Sequence, residues 1–122
     1  MKIVLRDPPR TFAVDESSRV KIRDMGDAHL EPDEQLTFVT ESGARHDFVR
    51  KEWGFYATPS INSRLANEGF KTALVENRQG RIYVMVVEKS RMALFDRYCR
   101  QGAQKVLRWL DEHPLQKTDP QS

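Results

Sequence analysis

Two β-rich runs, residues 70–76 and 81–88, flank the tetrapeptide Asn77-Arg78-Gln79-Gly80, and no other feature constrains the fold as strongly. Their Val, Ile, Thr, Phe and Tyr residues fit a pleated, half-buried surface. Gly80 can take the positive φ that a type I turn with a bulge requires. A hairpin here commits the chain to a sheet. The second run, Ile82-Tyr83-Val84-Met85-Val86-Val87, is apolar on both faces. Such a strand is central and covered on both sides, or its second face meets a partner chain.

Other segments extend the sheet. Residues 36–40 and 46–50 read as a second hairpin around Glu41-Ser42-Gly43-Ala44. Residues 20–25 alternate apolar and charged, the period of a half-buried strand. Residues 11–14 read as a short strand, 15–18 as a turn and 27–34 as a loop. Pro8-Pro9 forbids helix near the start, so residues 1–10 form an extended arm. Ser90 opens the principal helix, which the spacing of Met92, Phe95, Cys99, Val106 and Leu110 carries to about Glu112. Gly102 marks a kink or a close contact inside it.

These elements predict an α+β fold: a mostly antiparallel sheet of five or six strands, with the long C-terminal helix packed on one face. The helix stripe should face Leu74, Ile82, Val84, Val86 and Phe38 on the sheet. A short helix over 61–68, opened by Ser60 and stopped by Gly69, follows the aromatic loop. The expected organisation is one domain over 1–113 and a disordered polar tail over 114–122. The apolar area of residues 82–87 and of Leu94, Tyr98, Leu107 and Trp109 is more than one small core needs; a homodimer would cover the remainder, or short elements from the N-terminal half would.

Composition bounds the class. A chain of 122 residues, 39% hydrophobic and 31% charged, is globular rather than disordered. No apolar run approaches the ~20 residues of a membrane span. The polar start lacks the apolar stretch of a signal peptide, and the one cysteine cannot form a disulfide within the chain. The expectation is a protein of the bacterial cytoplasm. Net charge is only +2, but residues 15–47 hold four Lys/Arg against nine Asp/Glu, and residues 48–108 hold twelve against five.

One segment suggests a site. Trp53-Gly54-Phe55-Tyr56-Ala57-Thr58-Pro59-Ser60-Ile61-Asn62-Ser63-Arg64 combines flat apolar rings with hydroxyl, amide and guanidinium groups. That mixture suits a pocket or an interface. Trp53 and Tyr56 can stack on a ring. Thr58 and Ser60 can shape an anion-binding helix start, and Asn62 and Arg64 can donate hydrogen bonds. No glycine-rich phosphate loop accompanies them.

The other reactive residues form weaker patterns. His46 and Asp47 are adjacent, but neighbours on a strand point to opposite faces. His29 lies near Glu31, Asp33 and Glu34 without the three or four converging ligands of a metal site. His113 sits at a helix end, and Cys99 falls on the apolar stripe as a small hydrophobe. Arg91, Arg97, Arg100, Lys105 and Arg108 line the helix, but Asp96, Asp111 and Glu112 interrupt a phosphate-binding face.

The string from Trp53 to Ser60 resembles one in short bacterial proteins, some of which accompany enzymes of surface-carbohydrate synthesis. The resemblance implies a sugar-like ligand and carries over no residue roles. The leading expectation is therefore a non-catalytic binding or accessory protein without cofactor or metal. It would hold a polar or anionic ligand, such as a saccharide or nucleotide sugar, or a protein partner, through Trp53 to Arg64. A small enzyme using His46, Asp47 or His29 as acid or base is the alternative. A nucleic-acid module using the basic helix face is the second.

Overall fold

The computed structural model describes residues 1–14 and 21–112. Of these, 53% lie in strands and 19% in helical turns. The order is β1 (Lys2–Ala13), β2 (Lys21–His29), β3 (Gln35–Val39), β4 (Arg45–Lys51), β5 (Gly54–Ala57), α1 (Arg64–Asn67), β6 (Phe70–Glu76), β7 (Ile82–Glu88), α2 (Met92–Gln101) and β8 (Lys105–Trp109). Three small sheets result, β1-β2, β3-β4-β5 and β7-β6-β8. The expected single sheet of five or six strands and long C-terminal helix are therefore corrected to a mostly β architecture with one helix of substance. The turn expected at 15–18, His113 and the tail at 114–122 lie outside the described residues.

Two compact units divide the chain. The first combines Met1–Thr37 with Asp47–Thr58, and the second combines Phe38–His46 with the chain from Pro59 onward.

In the first unit β1 and β2 form an antiparallel ribbon. Leu5 pairs with Gly26 and Arg10 with Asp24, so residues 6–9 of β1 stand opposite the single residue Met25. Pro8 and Pro9 have no N–H to give a ladder, and this unpaired bulge is where a strand can hold them. Arg6, within the bulge, and Arg10, at its end, reach across to carboxylates of β2. Arg6 reaches Asp24 at 3.3 Å and Asp27 at 2.9 Å, and Arg10 reaches Asp24 at 3.0 Å. Burial pushes the Asp24 carboxyl up, but the Gly26 N–H and the two guanidiniums outweigh it and hold the group below its ordinary value.

The second unit is built on the hairpin of β6 and β7, paired without interruption from Phe70–Glu88 to Glu76–Ile82. Gly80 has φ +82°, and the Asn77 side chain accepts the N–H groups of Gln79 and Arg81, both at 2.9 Å. The loop chemistry closes the turn as the sequence predicts. β8 pairs with the other side of β6. The face carrying Lys71, Ala73 and Val75 meets α2 and Trp109: Phe95 lies edge-on to Trp109 at 5.8 Å, and the Lys71 ammonium sits over the same indole at 5.0 Å. Lys71 is tied to Asp111 and Glu112, and Asp111 also accepts the Thr72 N–H at 3.0 Å. The opposite face is covered at one end by Leu65, Phe70 and Ala44, with Ile61 and Val86 packed against them. Ile82, Val84 and Phe38, expected to face the helix stripe, are exposed.

The helix ends early for a definite reason. The Gln104 N–H reaches back to the Cys99 carbonyl at 2.9 Å, and the Ala103 N–H to that of Arg100 at 3.4 Å. Ala103 takes φ +55°. This is a Schellman stop with alanine in the left-handed position usually held by glycine. Beyond it, Val106 lies on β8 and Leu110 opens a separate 3-10 turn, so neither belongs to α2. A left-handed alanine is strained, so Ala103→Gly is expected to raise stability by up to about 1 kcal/mol, read as a higher denaturation midpoint.

Candidate binding surface

The chain reverses at Glu52-Trp53 and is extended again over the rest of the aromatic run, Gly54–Ala57. Lys51 pairs with Gly54, Val49 with Tyr56 and Phe48 with Ala57, so β4 and β5 form a tight hairpin with Glu52 and Trp53 at its tip. Gly54 supplies the turn's φ of +145°. The strand then alternates: Phe55 shares a face with Arg50, and Tyr56 shares the other with buried Val49. Trp53 is 71% exposed and Tyr56 46%. Their rings stack with centroids 6.0 Å apart and planes inclined by 22°. Two large aromatic faces therefore stand in water on a hairpin of the first unit.

Polar groups flank this pair. Lys51 is held by Asp33 at 2.5 Å. That hydrogen bond is the main reason its ammonium titrates above the ordinary lysine value, with smaller contributions from the Asp33 charge, Tyr56 and Glu52. Asp33 takes φ +72°, and its N–H donates to the Arg50 carbonyl at 2.6 Å, which fixes the loop beside β4. Only the folded chain brings Asp33 to Lys51; no local pattern announces it. Thr58 ends the first unit, with its N–H on the Asp47 carbonyl at 3.0 Å and its hydroxyl shared between the Gln35 side chain and that carbonyl.

Ser60, Asn62 and Arg64 belong to the second unit and are exposed. The expected helix over 61–68 is the single turn Arg64–Asn67. Ser63, not Ser60, stands at its N-cap, without a side-chain cap bond. The Ser60 hydroxyl accepts the Arg64 N–H at 3.1 Å, and its carbonyl accepts the Leu65 N–H at 2.9 Å. Ser60 thus closes the turn that delivers Leu65 to the core. One turn of helix offers little of the summed dipole that an anion site needs.

The remaining candidates fall elsewhere. His46 and Asp47 are both buried rather than solvated, and His46 packs its ring 6.2 Å from that of Phe70. His29 is exposed at the end of β2. Cys99 is buried, and burial pushes its thiol up, away from a nucleophilic thiolate. Arg97 and Arg100 are on α2, but Lys105 and Arg108 are on β8, so the continuous basic helix face does not exist. Among the described residues no group of three or more His, Cys, Asp or Glu is placed to hold a metal ion, and no helix is long and apolar enough to cross a membrane.

An open depression of about 430 Å³ in the second unit lies between Ser42, Ala44, Glu68 and Glu88. Its carboxylates are already engaged, Glu68 by the Arg45 N–H at 3.0 Å and Glu88 by the Ser42 hydroxyl at 2.6 Å. The stacked pair at the tip of the β4–β5 hairpin is thus the arrangement best suited to meet a ligand. Compared with protein families, with curated proteins and with solved structures, the chain finds no match.

Proposed function

We propose that this is a non-catalytic binding protein whose Trp53–Tyr56 platform holds a polar, ring-bearing ligand of the saccharide or nucleotide-sugar class. The supporting observation is the stacked, water-exposed pair on a short hairpin. Exposing two large rings forgoes the free energy of burying them. A ligand with a flat apolar face and polar edges would recover it while keeping its hydroxyls in water. The Lys51 ammonium, held by Asp33, supplies a hydrogen-bond donor on the same hairpin.

The test is a titration of the full chain with neutral, acidic and nucleotide-linked sugars, followed by indole fluorescence and amide resonances. Changes should localise to Trp53, Tyr56 and their strand neighbours, and no sugar should turn over. Trp53→Ala, at an exposed tip, should leave stability within about 0.5 kcal/mol and weaken binding at least about tenfold, or 1.4 kcal/mol. A folded protein whose Trp53 and Tyr56 signals ignore the whole panel would overturn the proposal.

A further inference from the structure

β7 lies at one edge of the sheet β7-β6-β8. The two edges of this sheet differ. β8 carries Lys105 and Arg108 and breaks register against β6 between Leu74 and Val75. Cations and irregularities of that kind keep an edge from pairing with another chain. β7 has neither. It pairs with β6 over seven unbroken positions, and between Arg81 and Glu88 it holds no charge and no proline. Its first half is also uncovered: Ile82 is 56% exposed, Tyr83 45% and Val84 66%. Among the described residues no further strand pairs with it, and a regular apolar edge of this kind is a template for one more strand.

We propose that the added strand is β7 of a second copy of this chain, joined antiparallel about a two-fold axis at Val84. The charges at the strand's ends favour this occupant and this direction. Arg81 opens the strand and Glu88 closes it. Antiparallel self-pairing brings the cationic end of one copy toward the anionic end of the other, with Arg81 across from Val87 and Glu88 one position further on the opposite face, whereas parallel pairing aligns like ends directly. The faces agree as well. A two-fold axis normal to the sheet keeps each face continuous, so Val84 meets its counterpart, Ile82 lies across from Val86, and Tyr83 from Met85. Every central pair is apolar, and such pairs are the unit of sheet stabilisation. The most exposed residue of the strand becomes its centre. Two three-stranded sheets merge into one of six strands, by an isologous contact that closes at the dimer.

The inference is independent of the ligand proposal, and its readout is mass rather than sugar binding. Light scattering and sedimentation of the full chain should give a dimer, unchanged by Trp53→Ala. Val84→Lys puts two ammonium groups on the axis and should give a monomer with the native circular dichroism. Val84→Thr should stay dimeric. Ile82→Lys, placed across from Val86 of the other copy, should weaken the dimer as well, whether or not Val84→Lys folds. Opposed side chains on the axis have Cβ atoms about 5 Å apart, so Val84→Cys should cross-link under mild oxidation and Arg78→Cys in the loop should not. A monomeric native chain, including one whose edge takes up a strand from a different protein, overturns the inference. So does a dimer indifferent to Val84→Lys or one that Val84→Cys fails to cross-link.

Discussion

Leu65→Ala is expected to cost about 2–5 kcal/mol of stability. That is a large share of the ~5–15 kcal/mol by which domains of this size are folded. Leu65 is fully shielded from solvent at the centre of the cluster with Ala44 and Phe70. It comes from a four-residue helical turn, far too short to hold its shape alone. The conformation of that turn therefore depends on burying this side chain. The site also collapses poorly around a void. Phe70 is fixed on β6, which is paired on both sides, and Ala44 has no atoms to advance. Denaturant titration should show the lost midpoint, and hydrogen exchange should show faster opening of the β6 amides. Ile61→Ala, at the rim of the cluster, should cost less. A loss below about 1 kcal/mol for Leu65→Ala would show that the cluster is not what holds the second unit together.

The same cluster shows what the sequence makes legible. Ile61 and Leu65 lie four residues apart and do share a packed face, even though the helix is shorter than the spacing suggests. Both the β6–β7 and β3–β4 hairpins announce themselves through turn residues, Asn77 and Gly80 in one and Gly43 in the other. The C-terminal segment misleads because its apolar residues satisfy two periods at once. Cys99, Val106 and Leu110 fit a helix, while Lys105-Val106-Leu107-Arg108-Trp109 also fits a strand with a bulge. What decides between them is a stop at Ala103, a residue type that carries no stop signal. Local pattern is also silent on partners. Nothing in β6 says that it will take β8 rather than β4 as its second neighbour.

The candidate site is legible in composition and not in geometry. Three aromatics in four residues mark the segment, and two of them do stack in water. The return of the chain at Glu52-Trp53 is hidden because a tryptophan is an unusual tip for a tight turn, although Gly54 is the residue that permits it. The division after Thr58 has Pro59 as its sole local sign. Lys51 meets Asp33 across eighteen positions, through a pairing of strands that only the fold creates.

Gly26→Ala should unzip the β1–β2 ribbon while leaving the second unit intact. Gly26 sits opposite Leu5 with φ +147°. A Cβ there would lie 2.2 Å from the Val4 carbonyl oxygen and 2.9 Å from the Leu5 Cα. Both are backbone atoms, so no rotamer change can make room, and β1 must move off β2. The ion pairs of Arg6 and Arg10 cannot offset this, because surface pairs screened by water contribute little. A two-stranded ribbon has little further reserve. Amide protection at Ile3 and Leu5, and at Ala28 across the ladder, is expected to fall to the level of a frayed end. Protection over β6 and β7 should not change. Gly54→Ala separates the causes. Gly54 has nearly the same φ, +145°, and open space where a Cβ would project. It carries the cost of the unusual φ alone, of order 1–3 kcal/mol. Gly26→Ala should exceed it and act on the ribbon. Equal losses from the two substitutions would mean that the backbone angle, and not the approach of β1, is what demands glycine at position 26.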